Sequence, residues 1–267
     1  MKTIQLQLKF EKMGGRLKIV PEPLRRESSL GISLDIGVDR YGEFFQLSAK
    51  QDALEDLLIL DLQAKDRHLL LLSRQDSGKH KFLCGHDERH WFVAGIPEAA
   101  PVGTVKQAKQ ALEPALVKEA AAKTGVSPRS RYRRKNAAFQ RQGEWFFIPA
   151  PQFRINESLV LKNEPLRRSR AGKPHWAHFC YRTGGETVYV CSRHPRGLLQ
   201  KEYDALIRST PQSAFWAWSV MRRNMDVYVR GTIRHSDHAT IDLDGWHRVA
   251  INTEGESAAM AFVTFLD

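Results

Sequence analysis

The chain has 267 residues, 42% of them hydrophobic, and a formal charge of +11. At about 100–200 residues per domain this allows one large domain or two small ones, and the apolar and aromatic content excludes a disordered chain. The basic excess steers polyanions, nucleic acid first and an anionic membrane surface next.

Along the chain, Ile4, Leu6, Leu8 and Phe10 alternate with polar residues and predict an N-terminal strand. Leu17–Val20, 32–36 and 44–47 predict further strands, with a turn around 39–42. The segment 53–62 carries leucines at helical spacing but also a strand-like Leu58-Ile-Leu. Lys81–Cys84 and Trp91–Ile96 flank Gly85-His-Asp-Glu-Arg and predict a hairpin with a solvated polar tip. Thr104 offers an N-cap to a helix with a stripe of Val105, Ala108, Ala111, Leu112, Leu116 and Ala120, which Pro114 should kink or split.

Beyond Gly125 comes a basic segment, then Gly143–Pro149, which predicts a buried strand. Ala177–Tyr181 and Thr187–Cys191, joined by Thr183-Gly-Gly-Glu, predict a second hairpin. Leu198–Ile207 and Pro211–Met221 predict helices, the second with Pro211 in its first turn. Strands are expected at 227–234, 240–243, 246–252 and 258–266. The expected fold is α+β: mainly antiparallel β with a few helices, in two β-rich units. The expected division is an N-terminal β-rich domain at 1–125, ending in its helix, and a basic linker at 126–142. A C-terminal β-rich domain follows at 143–267, with a helical insertion at about 198–223.

Chemistry concentrates in two histidine doublets, His175/His178 and His235/His238. Neutral imidazole is both a metal ligand and a proton shuttle near pH 7. Residues three apart on a regular strand face opposite ways, so each doublet needs a turn or bulge to converge. Together they could offer four nitrogens, or three and a carboxylate such as Asp237 or Glu254. That set suits a divalent metal, zinc first and manganese second. Against this stand hydrogen-bonded histidines at strand ends. Cys191-Ser-Arg-His194, Cys180 and Cys84-Gly-His86 form a weaker zinc alternative without paired C-x2-C spacing. His86 and His90 flank the first hairpin tip. There is no P-loop, dinucleotide fingerprint, G-x-S-x-G elbow or H-E-x-x-H.

The second feature is an acid-free run of Arg129, Arg131, Arg133, Arg134, Lys135 and Arg141, interleaved with Tyr132 and Phe139. Arg167, Arg168, Arg170 and Lys173 form another basic stretch. Such residues grip phosphates, and Tyr132, Phe139, Trp176, Trp216 and Trp218 could stack bases, although Trp216 and Trp218 are more simply core. Three sparse cysteines argue for a reducing compartment. With no run near the roughly 18 apolar residues of a membrane span and no signal-peptide core at the N-terminus, a cytoplasmic protein is expected.

Three stretches, Arg141-Gln-Gly-Glu-Trp-Phe-Phe-Ile-Pro, Gly172-Lys-Pro-His-Trp-Ala-His and Arg234-His-Ser-Asp-His-Ala-Thr-Ile-Asp-Leu with Trp246-His-Arg-Val, carry a likeness. Over roughly 141–254 the chain resembles a group of small bacterial and phage β-rich proteins with an Arg-Gln-Gly-Asp strand, a Gly-His-x-His element and a His-x-x-His strand. It departs at Glu144, in wider spacing of the first histidine element and in the inserted 198–223 segment. The likeness implies one β-rich unit around the histidines and brings no activity with it. The residues favour a nucleic-acid-binding protein, RNA or single-stranded nucleic acid first. The alternatives are a metal-dependent or histidine-based hydrolase or nuclease at His175, His178, His235 and His238, and a protein-interaction or inhibitor module whose partner is another protein.

Overall fold

The computed structural model describes residues 2–20, 32–49, 51–75, 78–167 and 173–257. Among the described residues the chain is mainly antiparallel β in several separate sheets, with five short α-helices. Arg168, Arg170 and the strand expected at 258–266 lie outside the described residues.

The N-terminal half holds two sheets around one core. β1 (Leu17–Val20), β3 (Gly42–Ala49) and β2 (Ile32–Asp39) form the first, in that order, with β1 parallel to β3. β4 (Leu57–Gln63), β5 (His68–Gln75), β6 (Gly78–Asp87) and β7 (His90–Ile96) form a meander. Both sheets bury apolar residues in a shared cluster around Phe10, Phe45, Leu47, Leu71 and Phe82. The N-terminus is not the expected strand but helix α1, Lys2–Lys12. Leu6, Phe10 and Met13 also stand at i, i+4 and i+7, a helical stripe. The helix packs that stripe inward and leaves Ile4 and Leu8 exposed. Residues 53–62 divide between helix α2 (Gln51–Glu55) and β4, so both readings of that segment hold in part.

Pro114 does split the predicted helix, into α3 (Val105–Leu112) and α4 (Ala115–Lys123). Proline has no amide hydrogen to donate and its ring clashes with the preceding turn. Thr104 caps α3 through a capping box with Gln107. α3 covers the outer face of the meander through Val105, Ala108 and Leu112. α4 packs instead on the next sheet, Val117 and Ala121 meeting Phe139, Phe146 and Ala250.

That sheet has six strands, in the order β10 (Leu161–Leu166), β11 (His175–Thr183), β15 (Asp226–Arg234), β16 (Ile241–Ile251), β9 (Trp145–Pro149) and β8 (Gln140–Gln142). A smaller sheet orders β13 (His194–Leu199), β12 (Glu186–Cys191) and β14 (Ser219–Arg223), with helix α5 (Gln200–Ser209) alongside. β11 and β12 therefore do not pair as the expected hairpin; the Gly184-Gly185 turn delivers them to different sheets. The helix expected at 211–221 is only a 3-10 turn, Pro211–Phe215, followed by β14.

Candidate metal centre

The β11–β15 register brings the histidines together. Trp176 pairs with Arg234, so His175, one residue earlier, lies beside His235, one residue past the end of β15. The chain then turns through Ser236 and Asp237 and returns His238 to the same place. Ring centroids stand 4.2 Å apart for His175–His235, 4.8 Å for His235–His238 and 5.6 Å for His175–His238. One nitrogen from each ring falls within 4.8 Å of the other two. His175 and His235 are buried and His238 nearly so.

His178 does not join them. On β11, His175 and Ala177 face inward while Trp176 and His178 face out, the ordinary two-residue alternation of a strand. A bulge does occur here, but it lies on the partner strand. His178 faces both Gly231, at φ +80°, and Thr232, and its ring lies over Phe179. No cysteine joins the cluster either. Cys84, Cys180 and Cys191 are free and buried, and burial pushes the Cys180 thiol up to about 11.

The scaffold of the loop comes from Arg141-Gln-Gly-Glu, a stretch the sequence marked only as a strand entry. Fully buried Gln142 donates its amide to the carbonyls of Ile233 (3.4 Å) and Ala239 (2.6 Å), clamping both ends of the histidine loop. Gly143 sits at φ +58° against His238, where a Cβ would stand 2.9 Å from Nε2. Both the backbone angle and the close approach call for glycine.

The hairpin tip Asp87-Glu88, expected to be solvated, completes the site from the N-terminal half. The Glu88 side chain is only 7% exposed and accepts hydrogen bonds from the Ala239 amide at 3.0 Å. It pairs with Arg134 at 2.9 Å, and its other oxygen lies 3.5 Å from His238 Nδ1. Asp87 pairs with Arg134 (2.8 Å) and Arg141 (3.0 Å). Burial alone would raise the Asp87 carboxyl, but these two arginines outweigh it and hold the group below its usual range.

The electrostatics favour neutral imidazole. Burial, then the neighbouring His235 and His238, pushes His175 down to about 3, so at neutral pH its ring keeps a lone pair for a ligand. His175 Nε2 is buried without a hydrogen bond among the described residues, whereas His238 Nδ1 faces the Glu88 carboxylate at 3.5 Å. Leaving a buried nitrogen unsatisfied costs about 1–3 kcal/mol. His235 Nδ1 accepts from the Asp237 amide at 3.2 Å, which places the proton of a neutral ring on Nε2. Ligation through Nε2 would shift that proton to Nδ1 and give up the Asp237 contact. At this length the contact is worth about 1 kcal/mol, well below the strength of a metal bond.

Compared with known proteins, the chain matches no family, no curated protein and no solved structure. The functional reading therefore rests on the geometry.

The basic run serves partly to hold this site. Arg131 pairs with buried Glu113 at 2.7 Å, while Arg134 and Arg141 hold the Asp87-Glu88 tip. Arg129, Arg133 and Lys135 are exposed, as is Arg167. Lys173 pairs with Asp237 at 2.8 Å. Tyr132 lies half-buried beside Lys109, with its hydroxyl enclosed. Phe139 is core and cannot stack a base. His90 pairs with Glu43 at 2.5 Å, and His86 packs edge-on against Trp91. Among the described residues no helix is long and apolar enough to cross a membrane.

Proposed function

We propose that the protein is a metal-dependent hydrolase whose centre is His175, His235 and His238, with zinc the first candidate and manganese the second. The observation that carries this reading is the convergence of three imidazole nitrogens within 4.8 Å of one another. The set contains no thiolate. Three protein ligands and one remaining position are the pattern of catalytic rather than structural zinc, and an all-nitrogen set suits zinc better than manganese. A bound zinc would supply Lewis acidity and lower the pKa of a coordinated water. Glu88, beside His238, is placed to orient that ring from outside the ligand set. The charge of +11 favours a polyanionic substrate, a phosphodiester first.

The test is elemental analysis of the purified protein, with and without zinc loading. It is paired with His235→Ala/His238→Ala and an assay on bis(p-nitrophenyl) phosphate and on RNA. Near-stoichiometric zinc, lost in the double variant together with turnover, is expected. Absence of any bound metal after loading sinks the reading.

A second reading, a nucleic-acid-binding protein without chemistry, is favoured by the exposed Arg129, Arg133 and Lys135 in one short segment. It expects salt-sensitive RNA binding that a chelator and the histidine variants leave intact.

A further inference from the structure

The small sheet β13–β12–β14 and helix α5 carry a surface that the histidine centre does not use. Its aromatic rings are arranged rather than scattered. His194, Trp216 and Trp218 lie within 14–24° of parallel, with centroids 5.8–6.0 Å apart. Tyr203 meets Trp218 edge-on at 5.0 Å and is itself stacked on Tyr189 at 4.1 Å. The exposed Arg193 guanidinium lies 4.3 Å over the Trp216 ring. Beside Trp216, Phe215 is 90% exposed, and Leu199, Val220 and Met221 are exposed on the same lobe.

None of these rings belongs to the four apolar cores of the described residues. The tryptophans are half-buried against one another and against His194, so the sequence reading of them as core holds only in part. Two features choose the occupant. The first is flat, near-parallel π-surface next to a fully presented phenyl ring, which accepts any base face. The second is charge: residues 186–223 contain six arginines and lysines and three acids, with exposed Arg193 over the Trp216 ring and Arg196 exposed on β13. An apolar protein partner would not call for that excess, and a duplex would hide its base faces.

We propose that this lobe is a docking surface for single-stranded nucleic acid. Bases stack on Phe215 and Trp216, and phosphates meet Arg193 and Arg196. The surface is independent of the histidine centre and shares only its class of partner with the second reading above.

The probe is a fluorescein-labelled oligo-dT or oligo-U of about a dozen nucleotides, followed by anisotropy on the full chain at low salt with a chelator present. Tight binding that falls with salt is expected. Phe215→Ala and Trp216→Ala should each weaken it about tenfold, the scale of one lost stacking partner. Phe215 is so exposed that its variant should fold normally, which far-ultraviolet circular dichroism checks. His235→Ala/His238→Ala should bind as the parent does, and a duplex of equal length should be insensitive to Phe215→Ala. Oligonucleotide binding that Phe215→Ala leaves unchanged, or no binding at all, overturns the proposal. So does binding lost only in Arg129→Ala/Arg133→Ala/Lys135→Ala, which would assign the grip to the arginine run. Partition onto phosphatidylserine vesicles in preference to the oligonucleotide would reassign the surface to lipid.

Discussion

The two histidine doublets have the same spacing and opposite fates. His175 and His178 both lie on β11, and strand alternation sends the first inward and the second out over Gly231. His235 and His238 lie just past the end of β15, in a loop whose turn returns the second ring to the first. Spacing alone therefore says little about convergence; the backbone between the two residues decides it. The bulge at Ala177–Phe179 does not rescue His178, because its extra residue sits on the partner strand. The loop doublet, by contrast, is over-determined: Gln142 clamps its ends, Gly143 makes room for His238, and Glu88 reaches across from the N-terminal half.

That contrast can be broken most forcefully by removing a ligand. His235→Ala and His238→Ala should each lower zinc affinity at least a hundredfold in competition titrations with a chromophoric chelator, the scale of a lost coordinate bond. Parent-like affinity in both would dissolve the cluster as a ligand set. Gly143→Ala should follow, destabilising the fold by about 2–3 kcal/mol in urea titration. The left-handed angle is costly for alanine and its methyl group collides with His238. A cost below about 0.5 kcal/mol would mean that His238 is not held there.

Glu88→Gln keeps the shape of the hairpin tip but removes its charge. Zinc affinity should drop about tenfold to a hundredfold, as for other lost outer carboxylates, while the fold is retained. An unchanged affinity would leave Glu88 as a partner of Arg134 and of the Ala239 amide, with no part in holding the metal. The smallest effect belongs to the outward histidine. His178→Ala should leave zinc affinity unchanged and alter stability by no more than about 0.5 kcal/mol. A loss matching that of His235→Ala would show that the bulge closes in solution and would erase the contrast between the doublets.

Much of the β-rich order was legible. The hairpin of β6 and β7, the capped helix, its break at Pro114 and the strands around the second doublet follow from period and punctuation, whereas β4 and β5 were not distinguishable from helix. The N-terminal helix was not, because Ile4, Leu6, Leu8 and Phe10 satisfy a period of two while Leu6, Phe10 and Met13 satisfy a helical one. Only the core decides which set is buried. The β11–β12 hairpin failed for a related reason: a Gly-Gly turn permits a hairpin but does not choose the sheet each strand joins. At the site, all three histidines were among the four that the sequence singled out. Gln142, Gly143 and Glu88 were not, since their roles arise from residues about 50–150 positions away.

The sequence by itself determined the class of fold, the basic surface and the pool of ligand types, because these depend on composition and on local backbone preference. Tertiary structure alone decided which histidines meet and which arginines are taken up by Glu113, Asp87 and Glu88. It also decided that the hairpin tip of one half closes over the loop of the other. Those outcomes are set by strand register and by pairing between distant charges, and neither is written in the neighbourhood of any single residue.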